Sequence, residues 1–160
     1  MNQLFLKNDY DQHTWNSGAA SFYIDYKSNM GTLPIAVTCR FGSLNDDYHA
    51  LFDTGASYSV IGGEIVELLE KDLGSPTGQL RMDTRFGILD GELRRLKIHL
   101  LADPGLGYDL TIESTVLIAK DWVRPPLMVL GFHGFMDRLR FAIDPGIEPN
   151  NEIIYFGKAD

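Results

Sequence analysis

The stretch Ala50-Leu51-Phe52-Asp53-Thr54-Gly55-Ala56-Ser57 is the most informative in this chain. An acidic residue directly after an apolar strand is unusual, because burying an unpaired carboxylate is costly. The placement becomes sensible where the carboxylate is solvated, hydrogen-bonded by the turn, or shares a proton with a second carboxyl. Gly55 frees the turn for a close backbone approach, and Thr54 and Ser57 supply hydroxyls at the same bend. Two readings stand side by side here: an Asx-turn that ends a strand, and a carboxylate presented for chemistry.

The flanks read as β structure. Upstream, Ser21 to Tyr26 alternates Phe22, Ile24 and Tyr26 with Tyr23 and Asp25, which predicts a strand. A turn at Asn29-Met30-Gly31-Thr32 leads to a second strand over Leu33 to Phe41, rich in Ile, Val and Thr. After Gly42 to Asp47, the run Tyr48 to Phe52 delivers the chain to Asp53. Tight connections between strands make a meander, not a βαβ unit. Downstream, Ile65, Leu68 and Leu69 share one helical face in Glu64 to Asp72, with Gly74 as the stop.

Beyond Gly74 the pattern returns to strands. Leu80 to Phe86 and Gly91 to Leu101 predict a hairpin around Gly87-Ile88-Leu89-Asp90, with the Arg94-Arg95 pair interrupting the second strand as a bulge. Leu110 to Ala119 predicts another strand, and Arg124-Pro125-Pro126 a break. Val129-Leu130 runs into Gly131, Phe135 to Leu139 suits a short helical turn, and Phe141 to Asp144 and Ile153 to Phe156 close the chain as strands. The class is mostly β.

Composition narrows the function. A chain of 160 residues, 44% hydrophobic, suits one domain that buries a core without staples. The lone Cys39 can form neither an internal disulfide nor a cysteine-built zinc site, and its strand context predicts a packing role. With 22 acidic against 14 basic residues, the net charge of -8 argues against a nucleic-acid partner. No apolar run approaches the roughly 18 residues of a membrane span, and Met1 to Asp11 does not read as a secretory signal. Together with the single thiol, this predicts a cytoplasmic protein.

Other chemistry finds little support. His13, His49, His99 and His133 lack metal-ligand spacing, so no metal is expected. Gly105-Leu106-Gly107 lacks the further glycine and helix of a dinucleotide loop, and no cofactor is expected. Gly55-Ala56-Ser57-Tyr58-Ser59 imitates a nucleophile elbow without its final glycine. Arg85, Arg94, Arg95 and Lys97 read as the solvated face of the hairpin.

Taken with the later Val129-Leu130-Gly131 segment and the Phe135 to Leu139 turn, the Ala50 to Ile61 segment resembles the retropepsin-like aspartic proteases. That family comprises the retroviral proteases and their cellular and bacterial relatives. The resemblance covers about Leu33 to Gly157 and implies a closed, mostly β barrel with a flap hairpin and one or two short helices. It divides the chain into an N-terminal extension with an added strand, 1–32, and a protease domain, 33–160.

It also implies a mechanism. Two carboxyls held close cannot both ionise easily, so they share one proton; one activates water while the other stabilises the oxyanion. This chain has a single Asp-Thr-Gly, so activity requires a homodimer in which Asp53 meets Asp53. By resemblance Asp53 is catalytic, Thr54 ties the two turns together, and Gly55 offers backbone to a peptide substrate. Ala56, Ser57, Phe86, Gly87, Ile88, Leu130 and Gly131 are the expected substrate-binding residues. Ala56 stands where pepsin-like members often carry a hydroxyl, which predicts a pair that titrates higher and activity nearer neutral pH. Many viral members carry Asp where this chain has Ser57 and Arg where it has Phe132, so their intersubunit ion pairs have no counterpart here. Two other readings remain open: a silent dimer that binds peptides, and a monomeric interaction domain with Asp53 as a turn cap.

Overall fold

Alternation explains the first long strand of the body. In Ile35–Phe41, Ile35, Val37, Cys39 and Phe41 are buried while Ala36, Thr38 and Arg40 are half-exposed, the period-2 signature of a strand covered on one face. The computed structural model describes residues 5–7, 12–14, 18–24, 35–84, 87–122, 127–146 and 151–159. In chain order the strands are β1 (Phe5–Lys7), β2 (Gln12–Thr14), β3 (Gly18–Ser21), β4 (Tyr23–Ile24), β5 (Ile35–Phe41), β6 (Tyr48–Phe52) and β7 (Ser59–Gly62). After the single helical turn α1 (Ile65–Leu68) come β8 (Gly78–Thr84), β9 (Gly87–Leu100), β10 (Leu110–Ala119) and β11 (Leu127–Leu130). A 3₁₀ turn at Met136–Arg138 precedes β12 (Leu139–Asp144) and β13 (Ile153–Lys158).

The protein is mostly β, and its largest sheet is ring-like. Strands β5, β6, β11, β7, β10 and β9 are hydrogen-bonded neighbours in that order, and β9 returns to β5. The closing seam is short: Cys39↔Leu100, Arg40↔His99 and Phe41↔Ile98. This differs from the expected closed barrel, because β9 divides its length among partners. Its first residues pair with β8, from Gly87 to Leu93, and only its C-terminal end reaches β5. β4 and β8 therefore stand as the sheet's free ends. β1 and β2 pair separately, and β12, β13 and β3 form a three-stranded sheet.

Several local expectations change. The strand expected over Ser21 to Tyr26 is broken at buried Phe22, where the chain passes from the β3 sheet to the β4 end of the ring. Tyr26, the 29–32 turn, the residue 32/33 boundary and Arg124-Pro125-Pro126 lie outside the described residues. The β3 segment of the N-terminal extension is tied into the body, pairing with β13 from Ser21↔Ile153 to Gly18↔Phe156. In α1 the buried set is Ile65 and Val66, followed by Leu69, whereas Leu68 is exposed. One turn of helix is too short to hold the expected face, and Leu69 N–H donates to both Ile65 and Val66 carbonyls.

Residues 87–90 belong to β9 instead of a turn, and the hairpin ladder runs on to the Thr84↔Gly87 pair. The Arg94-Arg95 pair makes no bulge, since β9 runs in unbroken register against β10. Arg94 simply continues the buried parity of Leu96, Ile98 and Leu100. Its charge is satisfied by donation from Nε to the Gly74 carbonyl at 2.7 Å and by Glu70 at 3.5 Å.

Two apolar clusters lie on opposite faces of the sheet near Asp53. The larger includes Phe41, Ile61, Ile118, Leu130, Phe135 and Phe156. The smaller contains Val60, Leu89, Leu117, Ala119 and Val129. Neighbouring residues of β7, β10 and β11 thus enter different clusters, and these strands are covered on both faces.

Candidate active site

The Asp53 turn is built by interleaving two segments. β6 ends at buried Phe52, the chain bends through Asp53–Ser57, and it returns as β7. β11 lies between them, parallel to β6 (Leu130↔Phe52) and antiparallel to β7 (Val129↔Val60). Asp53 N–H donates to the Leu130 carbonyl at 3.0 Å, and Ala56 N–H closes the turn on the Asp53 carbonyl at 3.1 Å. One carboxylate oxygen of Asp53 accepts the Gly55 N–H at 2.9 Å. The Asx-turn reading is therefore realised in the geometry, and it also orients the carboxylate.

The downstream segment then clasps the far side of the same turn. Phe132 N–H donates to the Ala56 carbonyl and His133 N–H to the Ser57 carbonyl, each at 2.8 Å. Gly131 passes so close to Tyr58 that a Cβ would fall 2.3 Å from its carbonyl carbon and oxygen. Only glycine fits there. Buried Ser59 supplies the Oγ that accepts Gly131 N–H at 3.0 Å, so the close crossing leaves no orphaned donor.

Beside Asp53 opens a cavity of about 560 Å³, lined by Asp53, Gly55, Ala56, Ser57, Val60, Met82, Asp83, Thr84, Leu89 and Val129. One wall is the Asp53 turn with β7 and β11; the other is the β8–β9 hairpin. Thr84 Oγ1 donates to the Gly87 carbonyl at 2.8 Å and ties the end of the hairpin ladder. The apolar wall residues continue the smaller cluster, where Met82 and Ala56 pack against its core.

The structure brings Asp53, Gly55, Ala56 and Ser57 together on the cavity wall. Thr54 is exposed at the tip of the turn and does not line it. Leu130 and Gly131 are buried beneath the turn, support it, and do not line the cavity. Gly87 and Ile88 also lie off the wall, with Ile88 57% exposed, and Phe86 is outside the described residues. Gly55 has no positive φ, and a Cβ would touch only Asp53 Oδ1, at 3.2 Å. The chain's own packing scarcely demands glycine there.

Val60, Met82, Asp83, Thr84, Leu89 and Val129 were not anticipated as cavity residues. Alternation carries a signal for two of them: Met82 and Thr84 occupy half-buried positions of β8. Using it required the correct hairpin register.

Elsewhere, titratable groups are engaged structurally. Burial pushes the Cys39 thiol up from 9.0 to about 12, with Asp47 adding to the effect, so it is a packing residue and no nucleophile. His99 is half-buried between Thr111 Oγ1 at 2.7 Å and the Gly42 carbonyl at 3.0 Å. Among the described residues, no group of three or more His, Cys, Asp or Glu could hold a metal ion. No helix among them is long and apolar enough to cross a membrane. No protein-family model matches the chain, and no curated protein matches its sequence.

Proposed function

We propose that the protein is an aspartic endopeptidase of retropepsin-like design, active as a homodimer with one Asp53 from each copy. The observation that carries this reading is an Asp-Thr-Gly turn, anchored from behind by residues 130–133, beside a cavity faced by a hairpin. A bare turn cap needs neither the cavity nor the hairpin. The apolar walls of Val60, Met82, Leu89 and Val129 suit an apolar peptide side chain.

In the proposed reaction the two Asp53 carboxyls share one proton. The ionised member removes a proton from water as the water oxygen attacks the peptide carbonyl. The protonated member donates to the developing oxyanion, and the proton gained from water passes to the leaving amine. Asp83 also lines the cavity, from the hairpin side, at an exposed position of β8. A cytoplasmic setting belongs to the same proposal and rests on the single cysteine.

The test is cleavage of a mixed peptide library by wild type, Asp53→Asn and Asp83→Asn. Asp53→Asn is expected to lose about a thousandfold or more, as removal of a general acid–base group does, while Asp83→Asn retains cleavage. Loss only in Asp83→Asn would move the chemistry to that residue. Peptide binding without cleavage by wild type would instead establish the silent dimer. The pH–rate profile should peak nearer neutrality, given Ala56; an optimum in strong acid would contradict that expectation.

A further inference from the structure

The cavity beside Asp53 is amphipathic, and its two characters are separated in space. Val60, Leu89 and Val129 on its wall are buried, while Asp83 lines it from an exposed position of β8. Successive side chains of a strand point to opposite faces, yet Met82, Asp83 and Thr84 all line the cavity. The cavity therefore runs along the edge of β8, a free end of the sheet. Among the described residues of this wall the formal charges are the carboxylates of Asp53 and Asp83, and no Lys, Arg or His lines it. Asp83 enters no ion pair among the described residues. Arg81, two residues back on the same face of β8, lies across the ladder from Asp90, with Nε 3.8 Å from its carboxylate.

We infer that Asp83 selects peptide substrates carrying a Lys or Arg side chain close to the cleaved bond. The inference rests on the proposed endopeptidase reading and adds a charge preference to the apolar one. Lysine and arginine are themselves amphipathic, with a methylene stem behind a cationic head. They lie best on a surface that is apolar along the stem and polar at the tip. The wall of Val60, Met82, Leu89 and Val129 takes the stem, and Asp83 at the exposed edge takes the head. An uncharged apolar side chain gains nothing from Asp83, and an acidic one meets like charge. Two carboxylates in one cleft with apolar walls also focus a negative potential there, which the net charge of -8 reinforces. Asp83 does no chemistry in this account: it meets a substrate side chain, while Asp53 acts on the bond.

The test places Lys, norleucine or Glu in turn at each position of one host peptide; norleucine keeps the stem and removes the charge. For wild type, Asp83→Asn and Asp83→Lys the readout is kcat/KM. For Asp53→Asn, with and without Asp83→Asn, it is the peptide Kd by fluorescence anisotropy. At one position wild type should favour Lys over norleucine about fivefold, the scale of a solvent-exposed ion pair. That ratio should shrink as salt is raised, fall to about one in Asp83→Asn, and turn towards Glu in Asp83→Lys. Each ratio compares peptides on the same protein, so a variant that folds incompletely still reports it. Equal use of Lys and norleucine by wild type at every position overturns the inference. So does a preference that survives in Asp83→Asn, which assigns it to Asp53. Either result with Asp53-dependent cleavage leaves the protease reading standing. An Asp83-dependent preference in binding, without Asp53-dependent cleavage, keeps the site and removes the protease reading.

Discussion

The Asp53 turn and the β8–β9 hairpin face each other across one cavity, yet they are held in opposite ways. The turn is over-determined: its strands flank β11, its Asp53 amide is answered by the Leu130 carbonyl, and its far side is bonded by Phe132 and His133. The crossing beneath it has no room for a methyl group. Along the hairpin, residues 80–84 and 87–91 find ladder partners only in each other. Its grip on the body comes through side chains such as Leu89, 4% exposed, in the smaller cluster. The contrast teaches a division of labour. Under the proposed function, the group that would hold a proton and a water in register sits on the rigid element, and the wall that would admit a peptide sits on the one with fewer ladder partners.

The contrast can be broken most forcefully at Gly131. Gly131→Ala puts a Cβ into the Tyr58 backbone, and overpacking there should cost about 3 kcal/mol, read as a lower midpoint in urea together with lost cleavage. An unaltered midpoint would show that the turn is less constrained than its geometry implies. A second probe uses the core thiol. Cys39 keeps its proton up to about 12 in the fold, against 9.0 unperturbed. Between those values the unfolded chain binds fewer protons than the folded one, so stability falls as pH rises through that window. Cys39→Ala should flatten this fall, and native protein should resist thiol reagents at pH 9; prompt labelling would contradict the burial. The smallest effect is expected on the hairpin. Ile88→Ser changes an exposed side chain, and its stability should stay within about 0.5 kcal/mol of wild type. A larger loss would mean that the hairpin end is packed in solution, and the comparison with the turn would fail.

How much of this was legible depended on how each strand is covered. Strand β5, solvated on one face, shows its alternation openly in Ile35, Val37, Cys39 and Phe41. β10 was bounded correctly by its apolar run and flanking turns. Strand β7 shows no such alternation, because all four of its residues are buried, on both faces of the sheet, which erases the period of two. The Arg94-Arg95 pair misled for a related reason. A charge at a core-parity position looks like an interruption unless its partners, the Gly74 carbonyl and Glu70, are known to be adjacent. On the cavity wall, Asp53, Gly55, Ala56 and Ser57 are legible because they belong to one short segment. Val60, Met82, Thr84, Leu89 and Val129 are not legible as a group, because they come from four separate strands.

By itself, then, the sequence determined the β class, the position of the exposed-turn carboxylate and the presence of one such motif per chain. These are local properties, written in alternation, turn residues and a count. Tertiary structure decided the ring-like sheet over a closed barrel, the cavity wall, and the packing of Leu130 and Gly131 beneath the turn. It also joined the Asp53 turn to the Phe132-His133 segment more than seventy residues downstream. Such features depend on which strand lies beside which, and strand pairing is set by burial and register summed over the whole sheet, not by any stretch within it.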